Sequence, residues 1–369
     1  MIVSKRLVSL DVLRGMTISF MILVNTPGSW KYVYPPLRHA EWNGCTPTDL
    51  VFPFFLFIVG VSIFFSFKKY QVKISKTSLL KILKRTIIIF FLGFLLNLFP
   101  HFNFENVRVM GVLQRIAIAY GLGSVLCLSL KQNQLLFVLI GLLLGYWALL
   151  YFTSGAELYS LENNIVRKLD LFLLGEKHVY KGFGIPFDPE GLLSTISSVG
   201  TVIIGFLTGK LVGTKTSVVD KMKVLLLYGV AMVVLGALWG IVFPINKALW
   251  TSSYVLYAGG WAMLFLAILI YTIDYKGYSK WARPFVHFGT NPLFIFVFSG
   301  VYVKTISYLI KIPIQESANK ISGYKYLFDY VFSPIAGNMN GSLLFALSHI
   351  VIFWLICFVL FKNKIFIKI

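Results

Sequence analysis

The stretch DLVFPFFLFIVGVSIFFSF, residues 49–67, carries one charge, Asp49, at its first position; all that follows is apolar apart from Ser62 and Ser66. A helix rising ~1.5 Å per residue needs ~20 mostly apolar residues to cross a ~30 Å hydrocarbon core, so this stretch predicts a spanning helix. Working outward, ten such stretches appear: 7–26, 49–67, 82–99, 109–130, 134–152, 192–212, 222–243, 249–272, 285–309 and 343–361. The 369-residue chain is 57% hydrophobic and 13% charged, about half the ~25% charge of a soluble domain. A soluble protein is thereby excluded. The sequence reads as all-α: a polytopic bundle of about ten transmembrane helices forming one domain over 1–369. The first stretch is too long, and too poor in a small-residue cleavage site, for a removable signal peptide.

The 34 Lys plus Arg against 14 Asp plus Glu, net +20, would suggest nucleic acid on a soluble protein. Here the basic residues sit between apolar runs, where they set orientation against anionic headgroups, and no nucleic-acid partner is expected. With the N-terminus inside, twenty fall in inner segments, among them Lys5, Arg6, Lys73, Lys131, Lys210, Lys215 and Lys368; twelve fall outside, and Arg14 and Arg115 lie within spans. Both termini are therefore expected in the cytoplasm. Three outer segments, 27–48, 153–191 and 310–342, are too long for simple turns and rich enough in aromatic residues to be ordered. Ile165, Leu169, Phe172 and Leu173 predict an amphipathic helix over 163–176. Three scattered cysteines, Cys45, Cys127 and Cys357, make neither a disulfide framework nor a metal site.

Ionisable groups at bilayer depth cost on the order of 2.5–3.5 kcal/mol each, so every one asks for a partner or a purpose. Asp11 and Arg14, three residues apart on one helical face, read as an ion pair. Asn25 stands near the outer end of the same span. Asp49 follows Thr46-Pro47-Thr48, where a helix cap is the alternative to a functional role. Gln114 and Arg115 lie inside the fourth span; the guanidinium stays charged, leaving open a pairing with Asp11 or Asp49, or the holding of a phosphate or carboxylate. The five histidines show no metal-ligand spacing. His39 differs from His101, His178, His287 and His349 in its setting, RHAEWNG at 38–44, just before the second span. Histidine titrates near neutral pH and suits proton abstraction from a nucleophile.

These residues carry a resemblance. SLD at 9–11 with Arg14-Gly15, Val24-Asn25, HAEWNGCTPTDLVFP at 39–53, GVLQRIA at 111–117, FDPEGLLS at 187–194, PINK at 244–247 with LWTSSY at 249–254, and GTNP at 289–292 are collinear blocks. Together they resemble the heparan-α-glucosaminide N-acetyltransferase family of transmembrane acyltransferases. The resemblance implies acetyl transfer from acetyl-CoA to the amine of a glucosamine-type sugar, with no metal, His39 catalytic and Asn25 beside it. Trp42 and Asn43 of the same block, with Asp11, Asp49, Asp188, Glu190 and Asn291, become candidate substrate-binding or support residues; Arg115, Gln114 and Arg14 become candidates for cofactor contact. The chain reads as a compact bacterial relative in the inner membrane, without the extra lumenal domain of the lysosomal members, and a homodimer is left open.

A sugar amine must lose a proton before it attacks, which a base such as His39 supplies. The charge arising on the thioester oxygen asks for a fixed donor such as Asn25, a type worth ~2.7–4 kcal/mol elsewhere. Acetyl-CoA comes from the cytoplasm while His39 is expected outside, so the pantetheine arm would thread the bundle. Two other classes fit the composition: a multi-pass transporter, for which matching interrupted halves are lacking, and an O-acetyltransferase acting on a cell-envelope polysaccharide or lipid-linked sugar.

Overall fold

A computed structural model describes residues 7–153, 157–214, 216–314 and 317–367; Lys5, Arg6, Lys215 and Lys368 of the orientation argument lie outside the described residues. The helices are α1 Val8–Asn25, α2 Val51–Phe67, α3 Lys76–Leu98, α4 Val112–Ser129, α5 Gln132–Thr153, α6 Ile165–Leu174 and α7 Leu192–Val212. They continue with α8 Val218–Trp239, α9 Ser252–Leu269, α10 Arg283–Thr290, α11 Pro292–Lys304, α12 Gly323–Tyr326 and α13 Ser333–Lys362. Among the described residues nine helical segments are long and apolar enough to cross a membrane. α3 has the length, at 23 residues, but carries Lys76, Lys81, Lys84 and Arg85 in its first half. The chain is an all-α, multi-pass membrane bundle.

Local chemistry starts the helices where the sequence changes. Pro47 stands at the head of the turn that leads into α2, where its missing N–H costs nothing. Ser75 accepts from the Ser78 amide at 3.1 Å to open α3, and Asn164 accepts from Arg167 N at 2.8 Å to open α6, in each case satisfying an amide with no partner inside the helix. The amphipathic helix expected over 163–176 is α6.

Two expectations need correction. The run 285–309 is two helices, because Pro292 offers no N–H to the preceding turn and Asn291 takes φ −129°, ψ 51° between α10 and α11. The segment 310–342 is not all loop. It holds an antiparallel pair, β1 Lys311–Ile314 and β2 Ser317–Ser322, after which α12 and its continuation run into α13. The last helical segment therefore begins at Gly323 rather than near 343, with a break at Gly337, whose φ of 74° suits a residue without Cβ.

α7 is the central helix: 83% of its apolar window is buried, against 17% for α8, whose outward apolar face is left to lipid. α2 crosses α7 with backbones nearly touching. A Cβ at Gly205 would lie 2.0 Å from Phe57 O, and one at Gly60 would lie 2.0 Å from Val202 O. Small residues at such crossings are how membrane helices gain packing without a hydrophobic driving force.

The loops 26–50, 99–111 and 240–251 gather at the end of the bundle where α2 begins. At the other end Val8 N donates to Asp274 Oδ1 at 3.1 Å. Asn291 there accepts from Ile367 N at 2.7 Å and donates to Ile365 O at 3.0 Å. The first and last described segments thus share one end, which requires an even number of crossings and so counts α3 as a tenth beside the nine.

Candidate active site

The 33–46 loop folds around one carboxylate. Arg38 Nε donates to Val33 O at 2.7 Å and Thr46 Oγ1 to Arg38 O at 2.7 Å, closing the loop on itself. Asp49 sits in the first turn after Pro47 with its side chain 2% exposed. Its Oδ2 accepts from Ala40 N (3.0 Å) and Thr46 N (3.1 Å), with the Thr46 hydroxyl, whose one hydrogen goes to Arg38 O, 3.0 Å away. Its Oδ1 lies 2.7 Å from Nδ1 of His39 and 3.3 Å from Nζ of Lys247. Asp49 is therefore both cap and partner: the two readings open in the sequence are one arrangement.

The hydrogen-bond network assigns the tautomer. Nδ1 also lies 3.1 Å from Lys247 Nζ, but it cannot accept from an ammonium and donate to a carboxylate at once. The shorter contact is to the acceptor-only carboxylate, so Nδ1–H donates to Asp49. Lys247 then donates to the same Oδ1. Nε2 carries the lone pair, makes no hydrogen bond among the described residues, and belongs to a ring 46% exposed. This is the orienter–base relation found behind activated nucleophiles.

A second layer fixes the first. Tyr254 donates from its hydroxyl to Asp49 O at 2.6 Å. Asn246, fully buried, accepts from Leu249 N at 2.8 Å and donates to Asn43 Oδ1 at 3.1 Å, while Gly44 N donates to Ile245 O at 2.7 Å. Trp42 donates to Tyr159 O at 2.8 Å and packs edge-on against Phe183 and Phe187. These contacts tie the His39 loop to the 240–251 loop and to the 157–187 segment. Burial, and then the Asp49 charge, push the Cys45 thiol up to about 12, so it stays protonated and a poor nucleophile.

Among the described residues, the other expected residues form no hydrogen bond with His39. Asp188 and Glu190 pair with Arg108, which donates from Nε to Asp188 Oδ2 at 2.9 Å and from Nη2 to Asp188 Oδ1 at 2.6 Å and to Glu190. Burial disfavours that guanidinium, but Glu190 and Asp188 outweigh it and raise its pKa. Arg115, fully buried, pairs with neither Asp11 nor Asp49. It donates to Thr195 Oγ1 (3.2 Å), Gly191 O (3.3 Å) and Ser194, and lies 4.8 Å from the centre of the Trp250 ring. Gln114 donates to Val109 O at 2.9 Å. Asn25 ends α1 with an exposed side chain that makes no hydrogen bond among the described residues. Asn291 pins the last described residues, as above.

Arg14 pairs with Asp11 at 3.3 Å and donates to Ser62 Oγ at 2.9 Å. It lines a cavity of about 340 Å³ at the end opposite His39, together with Arg85, Ser66, Tyr120 and Thr290. Sequence reasoning missed Lys247, Tyr254, Asn246 and Arg108 as site residues; the first three lay within the quoted 244–254 blocks, and Arg108 had been counted only as a loop cation.

Residues 6–172 match the family described as heparan-alpha-glucosaminide N-acetyltransferase, catalytic. The heparan-alpha-glucosaminide N-acetyltransferase of Homo sapiens is 31% identical, the alignment covering 85% of this chain and 55% of that protein. That of Mus musculus is 29% identical, covering 85% of this chain and 56% of its own length. The chain thus spans about half the length of these curated relatives. The resemblance read from the collinear blocks is borne out: residues 6–172 of this chain are similar to the catalytic region of the heparan-α-glucosaminide N-acetyltransferases.

Proposed function

We propose that this chain is a membrane acetyltransferase that moves an acetyl group from acetyl-CoA to the amine of a glucosamine-type sugar, with His39 as general base. The observation that carries this is the 2.7 Å contact between His39 Nδ1 and the buried Asp49. With Nδ1–H held by the carboxylate, Nε2 takes the proton the amine sheds as its nitrogen bonds to the acetyl carbon. Asp49, itself held by Lys247, keeps the imidazolium in place, and the proton then passes to the departing thiolate. Asn25, with an amide that makes no hydrogen bond among the described residues, remains the candidate donor to the carbonyl oxygen.

The cavity lined by Arg14 and Arg85 suits the donor's chemistry. Guanidinium groups match phosphate oxygens in pairs, and Ser62, Ser66 and Thr290 add hydroxyls beside apolar walls from Phe55, Ile58 and Phe296. Along α2 the lining runs from Ser66 to Phe55, eleven residues or ~16 Å, on the helix that Asp49 opens six residues further on. Arg115 and Gln114, both bonded internally, do not line this cavity, and the donor reading rests on Arg14 and Arg85. We place the basic end of the bundle in the cytoplasm and His39 on the opposite face.

Purified protein in liposomes, given acetyl-CoA labelled in the acetyl group, should label glucosamine and leave N-acetylglucosamine and glucose unlabelled. Label released by alkaline hydroxylamine would indicate an oxygen ester and replace the amine with a hydroxyl acceptor. No transfer to any sugar would end the reading.

A further inference from the structure

A second cavity, of about 620 Å³, opens at the basic end of the bundle, within the ~300–1,000 Å³ of sites that hold a ligand. It is separate from the one lined by Arg14, and its argument does not rest on the acetyl-transfer reading. Lys73 comes from the connection after α2, Lys131 from the short α4–α5 linker and Lys210 from the last turn of α7. Three unrelated segments thus bring lysines to the lining of one opening. Among the described residues none of the three pairs with a carboxylate, and no acidic residue lines the cavity; Lys210 donates only to Gln132 Oε1, at 2.7 Å. The floor is apolar, with Phe64, Leu128, Leu135 and Phe206.

The loop carrying Lys73 is held in a specific shape. Gln71 and Val72 both take positive φ, 55° and 53°, and Ile74 N donates to Leu128 O at 3.1 Å, docking the loop on the end of α4. A β-branched residue rarely adopts that conformation. Orientation by basic loops explains lysines at this end of the bundle but not their convergence. Lys276, at the same end, instead lies over the Tyr271 and Tyr275 rings. Like charges around one mouth repel until an anion joins them, and an apolar floor at the level where helices leave the bilayer favours hydrocarbon. A phosphodiester joined to acyl chains meets both demands.

We propose that this cavity binds an anionic phospholipid, its phosphate held by Lys73, Lys131 and Lys210 and its chains laid against Phe64 and Phe206. The lipid fastens the α2–α3 connection, the α4–α5 linker and the end of α7 to one another.

The test uses the full chain in neutral detergent, titrated with phosphatidylglycerol or phosphatidylcholine and followed by native mass spectrometry. The parent should hold one phosphatidylglycerol at least tenfold more tightly than phosphatidylcholine. At about fivefold per lysine, K73Q/K131Q/K210Q should weaken that binding at least tenfold. The control K221Q/K276Q/K280Q, which removes equal charge at the same end, should stay within threefold. If the site triple does not fold, K131Q alone, on the exposed linker, should weaken binding about fivefold. Equal weakening by the control, or equal affinity for the two lipids, would overturn the proposal. Displacement of the lipid by millimolar inorganic phosphate or by CoA would also overturn it, since the pocket would then be a free-anion or donor site.

Discussion

Replacing Asp49 by Asn changes one atom type and should nearly abolish turnover. The carboxylate has four donors around it: Ala40 N and Thr46 N on Oδ2, and His39 Nδ1 and Lys247 Nζ on Oδ1. An amide keeps one acceptor. With its oxygen facing the two backbone N–H groups of Ala40 and Thr46, its NH2 faces Nδ1, which must then accept. The imidazole proton moves to Nε2, and the base is lost. The opposite flip sets NH2 against two backbone N–H groups and is the costlier choice. An amide behind a base imidazole lowers kcat by ~10⁴ in the Ser-His-Asp case. We expect a fall of ~10³–10⁴ in kcat/KM here, ~4–5.5 kcal/mol of transition-state stabilisation, measured as labelled acetyl transfer to glucosamine. Because the pair acts as a unit, adding D49N to H39A should cost little more than H39A alone. A folded D49N protein that keeps more than a tenth of the parent's kcat/KM would refute this reasoning.

Three further outcomes follow. Burial pushes Asp170 on α6 up to about 7, against the pull of the Leu192 amide and with the Asp188 charge adding to the rise. Its folded pKa lies above its unfolded value of ~3.9, so its contribution to stability is complete below pH ~4 and is lost as pH rises through 7. The parent should lose melting temperature relative to D170N between pH 5 and 8; parallel curves would contradict this. R108Q strips the counter-charge from Asp188 and Glu190 and should cost ~3–5 kcal/mol, as breaking buried ion pairs does; a thermal midpoint unchanged in detergent would contradict the pairing. G205A places a Cβ 2.0 Å from Phe57 O and should lower the midpoint by more than an alanine at Gly141, where a Cβ meets nothing within 4 Å.

The bundle was legible because apolar runs of spanning length are a local property. Its two misread places were not equally local. Asn291-Pro292 is a helix-break signal, hidden within the apolar run on either side. The early start of the last helical segment depends on distant contacts: Gly28 N donates to Ser342 O at 3.1 Å and Tyr324 to Pro27 O at 2.5 Å, stabilising a polar, glycine-bearing stretch that carries no helical periodicity. The site divides the same way. His39 and Asp49 stand ten residues apart on one loop and could be read together. Lys247 reaches them from 208 and 198 residues away, and the partners of Arg108 lie 80 and 82 residues along the chain. No spacing rule announces such pairs. Arg115 was marked as needing an acceptor; that its acceptors are hydroxyls, a carbonyl and an indole face depends on how α4 and α7 pack.

The most direct measurement compares the parent with H39Q in liposomes, each loaded with labelled acetyl-CoA on the basic-end side and offered glucosamine on the other. The parent should deliver labelled N-acetylglucosamine to the glucosamine compartment, and H39Q, folded to the same midpoint, should deliver less than a thousandth as much. Equal delivery by both proteins would remove His39 from the chemistry and contradict the role assigned to the Asp49 pair.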